Sequence, residues 1–215
     1  MLNGVPRILI IRLSAIGDVV RVLPALHCLR ETYPSAQIDW VVEKKSADIL
    51  EGHPAIDQVL VFERSKDFKT SFKNFRSICK EIRANRYDIV MDFHGIFKSG
   101  IMMAYSGAKD RYGFARPRSQ EGSYLFSNRK VRLGAEIENR MHENLALCEP
   151  LVKGLKPLDV VIHIPDDALD LGDEFMEENF HGAKKIVALH PPVDRPEKQW
   201  PLAYFAQLSD LLLAD

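Results

Sequence analysis

The chain has 215 residues, 46% of them hydrophobic and 27% charged, which is enough for one substantial buried core and part of a second. Its 29 lysines and arginines against 30 acids give a net charge of -1. That balance argues against nucleic acid as a general partner, because phosphate binding needs a basic surplus on the surface.

Arg7 to Leu13 alternates little and is mostly β-branched or leucine, as a strand covered on both faces of a parallel sheet should be. Ser14 to Asp18 breaks the run with small and polar residues. From Val19 the apolar positions Val19, Val22, Leu23, Leu26 and Leu29 recur at helical spacing. The turn therefore joins the carboxyl end of a strand to the amino end of a helix, where open α/β sheets bind ligands. The helix ends near Thr32, before the turn residues Pro34 and Ser35, and Gln37 to Glu43 reads as the second strand. A short helical piece from Ser46 to Leu50 precedes Gly52-His53-Pro54, and Gln58 to Phe62 is the third strand.

Phe68, Phe72, Phe75, Ile78, Cys79 and Ile82 mark a long amphipathic helix with lysines and arginines opposite, and the stripe reads as core. Tyr87 to Phe93 is a fourth strand, Ile96 to Tyr105 its helix, and Asp110 to Phe114 a short fifth strand. Ala115 to Ser127 has no consistent period and reads as a long surface loop, either functional or a simple connection. Arg140 to Val152 is helical, and Asp166 to Glu178 looks like a polar helix. The pattern then restarts with a buried strand, Lys184 to His190, and a helix from Pro201 to Leu213 whose apolar stripe is Leu202, Phe205, Leu208 and Leu212. The expectation is a doubly wound, mostly parallel Rossmann-like α/β domain over residues 1–158. A linker and polar helix follow over 159–183, and the start of a second domain over 184–215. Cys28, Cys79 and Cys148 lie far apart in helical apolar patterns and read as buried thiols of a reducing cytoplasm. No apolar run approaches the ~20 residues of a membrane span, and the first residues lack the apolar core of a signal peptide.

Four segments then carry a resemblance. They are Ile11-Arg-Leu-Ser-Ala-Ile-Gly-Asp18-Val with Leu23-Pro-Ala-Leu26; Ile38-Asp-Trp-Val-Val-Glu43; Tyr87-Asp-Ile-Val-Met-Asp-Phe-His-Gly95 with Lys98-Ser99; and His190-Pro191 with Lys198-Gln-Trp-Pro201. Together they resemble the lipopolysaccharide heptosyltransferases along essentially the whole chain. The resemblance implies a GT-B glycosyltransferase, with an acceptor-side N-terminal domain and a donor-side C-terminal domain. It implies inverting transfer of heptose from ADP-heptose to the lipopolysaccharide inner core, with no cofactor and no metal. A cytoplasmic location with peripheral contact at the inner membrane goes with it. The 215 residues stop after the first strand and helix of the second domain, so this chain alone is expected to bind ADP-heptose weakly or not at all. Pro192-Val193 also stands where related sequences commonly place glycine or threonine, and proline has no N–H to offer a phosphate. The alternative is a non-catalytic acceptor-binding or interaction module. A dinucleotide-binding domain is disfavoured, because the opening turn has one glycine and no G-x-G-x-x-G.

Asp18 can be argued as a base from its position alone, since glycosyl transfer to an alcohol needs a group to accept the hydroxyl proton. The competing reading is that Ser14 or Asp18 merely caps the helix. The resemblance favours the base. A helix amino terminus favours the ionised carboxylate, so proton transfer is expected late, once the leaving group has begun to depart. Lys198 matches the family's phosphate-side lysine and would stabilise the departing diphosphate. Ser14, Gly17, Gly95, Lys98, Arg118 and Glu121 are the expected acceptor-binding set, with Gly17 permitting close approach. His94 is a possible cleft residue, with a structural role as its alternative. Arg64, Lys66, Lys69 and Lys73 form a basic cluster that reads mainly as a solvated face, with contact to acceptor or membrane as its alternative. Asp92, His94 and His190 do not form a convincing metal set.

Overall fold

The computed structural model describes residues 5–137, 139–152, 160–191 and 196–214. Its contacts divide the chain into two compact units, Met1–Pro165 and Asp166–Asp215.

The first unit is built on six parallel strands: β1 (Arg7–Ile11), β2 (Gln37–Glu43), β3 (Gln58–Phe62), β4 (Ile89–Asp92), β5 (Asp110–Phe114) and β6 (Arg129–Val131). Their order across the sheet is β3-β2-β1-β4-β5-β6. The chain begins at the centre, winds one way to β3, then crosses back to β4 beside β1. That crossing makes the carboxyl edge between β1 and β4 the topological switch point, where ligands of such sheets bind. The strand alternation explains why both faces are covered. Ile8 and Ile10 enter one core cluster with Trp40, Leu26 and Leu147, while Leu9, Ile11 and Leu13 enter the other with Ile78, Ile82 and Met102. All of these except Ile78 are fully buried, so truncating Leu9 to alanine should cost about 2–5 kcal/mol.

The helices are α1 (Ile16–Val20), α2 (Leu23–Thr32), α3 (Phe68–Ala84), α4 (Phe97–Ser106) and α5 (Arg140–Cys148) in the first unit. The second unit holds α6 (Asp166–Phe180) and α7 (Leu202–Ala214). Several expectations need correction. The opening helix is interrupted at Arg21 and Val22, because Pro24 in the first turn of α2 lacks the N–H that a continuous helix requires. The piece expected over Ser46–Leu50 is two 3-10 turns, Lys44–Ser46 and Asp48–Leu50. The α3 stripe is core only in its second half. Ile78, Cys79 and Ile82 are buried, whereas Phe68 is 81% exposed and Phe72 54%, because α3 begins beyond the reach of the sheet it packs on.

The segment Ala115–Ser127 is a folded loop. Ser119, Ser123 and Ser127 are buried, the Ser119 and Ser123 hydroxyls lie 2.6 Å apart, and Gln120 N donates to Gly95 O at 2.8 Å. It leads into β6, a strand that sequence pattern did not suggest, because Arg129 and Lys130 are exposed polar residues on a three-residue edge. In the second unit, Lys184–His190 is not a strand: it forms no ladder with any described residue. A lone extended segment has nothing to bond its backbone to until a second strand is alongside. The stripe residues Leu202 and Leu212 of α7 are exposed, and Phe205 and Leu208 are half-buried. The three cysteines are buried thiols, and burial pushes that of Cys79 up to about 11.

Candidate active site

The site forms where β1 and β4 end side by side, with Ile11 opposite Asp92 in register. Each strand runs on for a residue or two with a chemically active side chain, Arg12 from β1 and His94 from β4. Arg12 is buried and sends its guanidinium across this edge. Its Nη1 donates to Phe93 O at 2.9 Å, its Nη2 pairs with Asp18 Oδ2, and its buried Nε has no partner among the described residues. Burial lowers the pKa of this guanidinium, and the Asp18 carboxylate opposes that shift.

Asp18 lies in the first turn of α1. Its other oxygen, Oδ1, accepts from Arg21 Nη1 at 2.9 Å, so two guanidinium groups hold one carboxylate. The cap reading of Ser14 or Asp18 is not what the structure shows. Ala15 occupies the N-cap position with no side-chain hydrogen bond, which leaves the Asp18 carboxylate to its arginines. Gly17 is exposed, and nothing lies within 4 Å of where a Cβ would sit, so its face of the turn is open. Ser14 is half-buried beside it.

The β4 side is fixed by Asp92, which is 1% exposed. Its Oδ1 accepts from His94 N and Gly95 N, both at 3.0 Å, and its Oδ2 lies 2.9 Å from Ser99 Oγ. Gly95 adopts φ +75°, a left-handed turn that favours glycine, and this bends the chain from β4 into α4. Burial drives the Asp92 carboxyl up to about 6, with the three hydrogen bonds and Arg12 acting against it. His94 Nδ1 accepts from Leu13 N at 3.2 Å, which assigns the ring hydrogen of the neutral form to Nε2. Burial, then the charges of Arg12 and Lys98, hold this imidazole down at about 4. At neutral pH it is an uncharged donor.

Arg12, Asp18, His94, Ile96, Arg118, Gln120 and Arg140 line a cleft of about 230 Å³. Arg118 comes from the serine-stitched loop, stacks over the Phe114 ring at 4.7 Å and pairs through Nε with Glu143 Oε2 at 2.6 Å. Arg140 shares that oxygen at 3.0 Å. The cleft thus surrounds one carboxylate with cationic and neutral donors, suited to an anionic ligand that carries a hydroxyl.

Of the expected residues, Asp18 and Arg118 meet in this cleft, with Ser14, Gly17 and Gly95 in its framing turns. Lys98 pairs instead with Glu43 at 3.1 Å and lies over the Phe62 ring, at the ends of β2 and β3. Glu121 turns to α4, where its Oε2 accepts from Phe97 N at 3.2 Å. Lys198 ends a 3-10 turn of the second unit, Pro196–Lys198, and is exposed. Pro192 and Val193 lie outside the described residues. Arg64 and Lys66 line a separate cavity of about 730 Å³ with Glu43, Lys44, Lys45, Glu63 and Ser65. Sequence reasoning missed Arg12, Gln120 and Arg140. The available signal for Arg12 was an arginine ending an otherwise apolar strand at the switch point.

The family model for glycosyltransferase family 9 (heptosyltransferase) matches residues 75–215. The lipopolysaccharide core heptosyltransferase OpsX of Haemophilus influenzae is 26% identical over 202 residues, 94% of this chain and 55% of its own length. The chain spans 55% to 65% of the first curated relatives it matches. A family 9 glycosyl transferase from Veillonella parvula superposes with a TM-score of 0.83 at 23% identity, covering 96% of this chain and 59% of that one. An Escherichia coli heptosyltransferase, WaaC, solved with ADP-2-deoxy-2-fluoro heptose, gives 0.66 at 23% identity, over 96% and 65%. These last two likenesses establish the fold.

Proposed function

The chain belongs to glycosyltransferase family 9, the heptosyltransferase family, and we propose that it forms the acceptor-side part of an enzyme transferring heptose from ADP-heptose to the lipopolysaccharide inner core. The observation that carries this reading is the Asp18 carboxylate, set among arginines at the switch point of the sheet. Relatives named as lipopolysaccharide heptosyltransferases, and a fold neighbour solved with an ADP-heptose analogue, support the choice of acceptor and donor. By the same analogy the transfer would take place at the cytoplasmic side of the inner membrane.

In this mechanism an acceptor hydroxyl attacks the anomeric carbon of the donor from the face opposite the diphosphate, so the configuration inverts. The carbon–oxygen bond to the diphosphate breaks, ADP leaves with the electron pair, and the hydroxyl proton passes to Asp18. Arg12 and Arg21 hold the carboxylate in place at the cleft, and the acceptor hydroxyl becomes acidic enough to give up its proton only as it bonds to carbon. Proton transfer is therefore late. Arg118, Arg140 and the neutral His94 donor meet anionic groups of the acceptor, and Lys198 balances the charge on the leaving ADP without a metal or cofactor.

The test is Asp18→Asn in the product of the gene's whole reading frame, assayed for transfer from ADP-heptose to a lipopolysaccharide acceptor. Turnover should fall by about 10²- to 10⁴-fold while the fold is retained. Near-normal turnover would remove Asp18 as the base. Acceptor binding with no transfer even in the parent would support the non-catalytic module.

A further inference from the structure

The helix α5 carries a polar residue on the side it turns to the core. Asn144 is 4% exposed, and Leu145, Leu147 and Cys148 after it join the core cluster of Ile8 and Ile10. A buried side-chain amide costs stability unless its polar atoms are bonded, so its partner is informative. Asn144 Nδ2 donates to the carbonyl oxygen of Arg21 at 2.9 Å, across 123 residues of sequence. That carbonyl stands at the break between α1 and α2, where no backbone N–H among the described residues reaches it. One turn further along α5, Cys148 Sγ lies 3.9 Å from Ala25 O, four residues after Arg21, so α5 runs along the break.

Arg21 is also one of the two residues that hold Asp18, and its backbone N–H bonds Gly17 O at 3.3 Å, in the turn that carries this carboxylate. The five residues of α1 are too few for a helix to keep its place without outside support. The Asn144 amide supplies that support at the residue that ends α1, three positions after Asp18. The preceding residue, Glu143, accepts from Arg118 Nε and Arg140 Nη1 with one oxygen. Consecutive residues of α5 therefore tie together two parts of the cleft, the turn with Asp18 and the arginines Arg118 and Arg140.

We propose that Asn144 is a positioning residue for the transfer reaction, one that sets the placement of Asp18 through the Arg21 carbonyl while lining no part of the cleft. The inference rests on Asp18 as the base. A base must come within about 2.6–3.2 Å of the hydroxyl it serves, and a displacement of about 1 Å costs on the order of a hundredfold in rate. Without the amide, α1 keeps buried Val19 as its anchor in the core, and apolar burial is non-directional, so the turn is free to shift.

Asn144→Leu, of similar size, and Asn144→Asp, of the same shape but with no N–H, are to be made in the product of the whole reading frame. Each is assayed for transfer from ADP-heptose, alone and combined with Asp18→Asn. Alone, each should lower kcat about tenfold or more and change acceptor KM by less than about threefold, with circular dichroism unchanged. In the Asp18→Asn background neither should lower the residual kcat further, because the group that Asn144 places is no longer a base. A purely structural role would reduce the folded fraction alike in both backgrounds. A kcat within about twofold of the parent, an equal fall in the Asp18→Asn background, a loss confined to acceptor KM, or failure of both variants to fold overturns the proposal. Near-normal turnover of Asp18→Asn by itself, or a parent without transfer, would instead remove the base and this proposal together.

Discussion

Replacing His94 by glutamine is expected to make stability fall, relative to the parent, as pH rises. Two neighbouring groups titrate in opposite senses. Asp92 has its folded value raised from 3.8 to about 6, so the folded state holds its proton more tightly. Its contribution is present below pH 3.8 and is lost as pH rises through 6. His94 has its folded value lowered from 6.5 to about 4, so its contribution is present above 6.5 and is lost as pH falls through 4. Each tenfold difference in proton affinity between folded and unfolded chains is worth about 1.4 kcal/mol, so raising pH from 4 to 7 removes about 2 kcal/mol through Asp92 and restores about 3 through His94. In the parent the two nearly cancel. His94→Gln leaves the loss through Asp92 unopposed, so relative to the parent its stability should fall by about 3 kcal/mol over that range. Asp92→Asn should show the reverse, a relative gain of about 2 kcal/mol. Urea titrations at pH 4, 5, 6 and 7 read this as a shift of the midpoint on the order of 1 M. In a Trp200→Phe background, the emission of buried Trp40 reports the first unit alone. Parallel pH profiles for parent and His94→Gln would show that His94 is not held neutral by burial, and the assignment of an Nε2 donor to the cleft would fall with it.

Other substitutions separate the cleft's parts. Arg118→Ala removes the pair with Glu143 and the stack on Phe114, and should cost about 2 kcal/mol in urea unfolding. On the proposed function, and in the product of the whole reading frame, it should raise the acceptor KM more than it lowers kcat. Gly95→Ala should cost about 1–2 kcal/mol from its φ of +75°. Its new Cβ would sit 3.5 Å from Arg118 Nη1, an ordinary contact, so a loss well above that range would point to a clash the geometry does not contain. Glu121→Ala should cost only about 0.5–1 kcal/mol, as loss of an acceptor at the α4 amino terminus, and should leave acceptor KM unchanged; a raised KM would return Glu121 to the binding set.

The strands of the sheet were legible because burial on both faces leaves continuous β-branched runs, and Arg7 to Leu13 is such a run. The α3 stripe was legible as a face but not as a depth. Periodicity tells which residues point the same way; it does not tell where the neighbouring elements stop. Phe68 and Phe72 continue the pattern past the last partner. The Lys184–His190 segment failed for a related reason, since a strand is defined by its neighbour. At the site, Asp18 was visible because strand and helix signals abut there. Arg12 and His94 were brought to it by the pairing of β1 with β4, about 80 residues apart in sequence, which no local pattern encodes.

The loop that delivers Arg118 is tied down before any ligand arrives. Its serine hydroxyls bond one another and its backbone, Gln120 is bonded to Gly95, and Glu143 holds the guanidinium itself. On the proposed function, an acceptor entering the cleft would meet a preorganised cation and spend little binding energy on freezing the chain that carries it. Loosening Ser119 or Ser123, neither of which lines the cleft, should therefore weaken acceptor affinity through entropy while the lining residues themselves are unchanged.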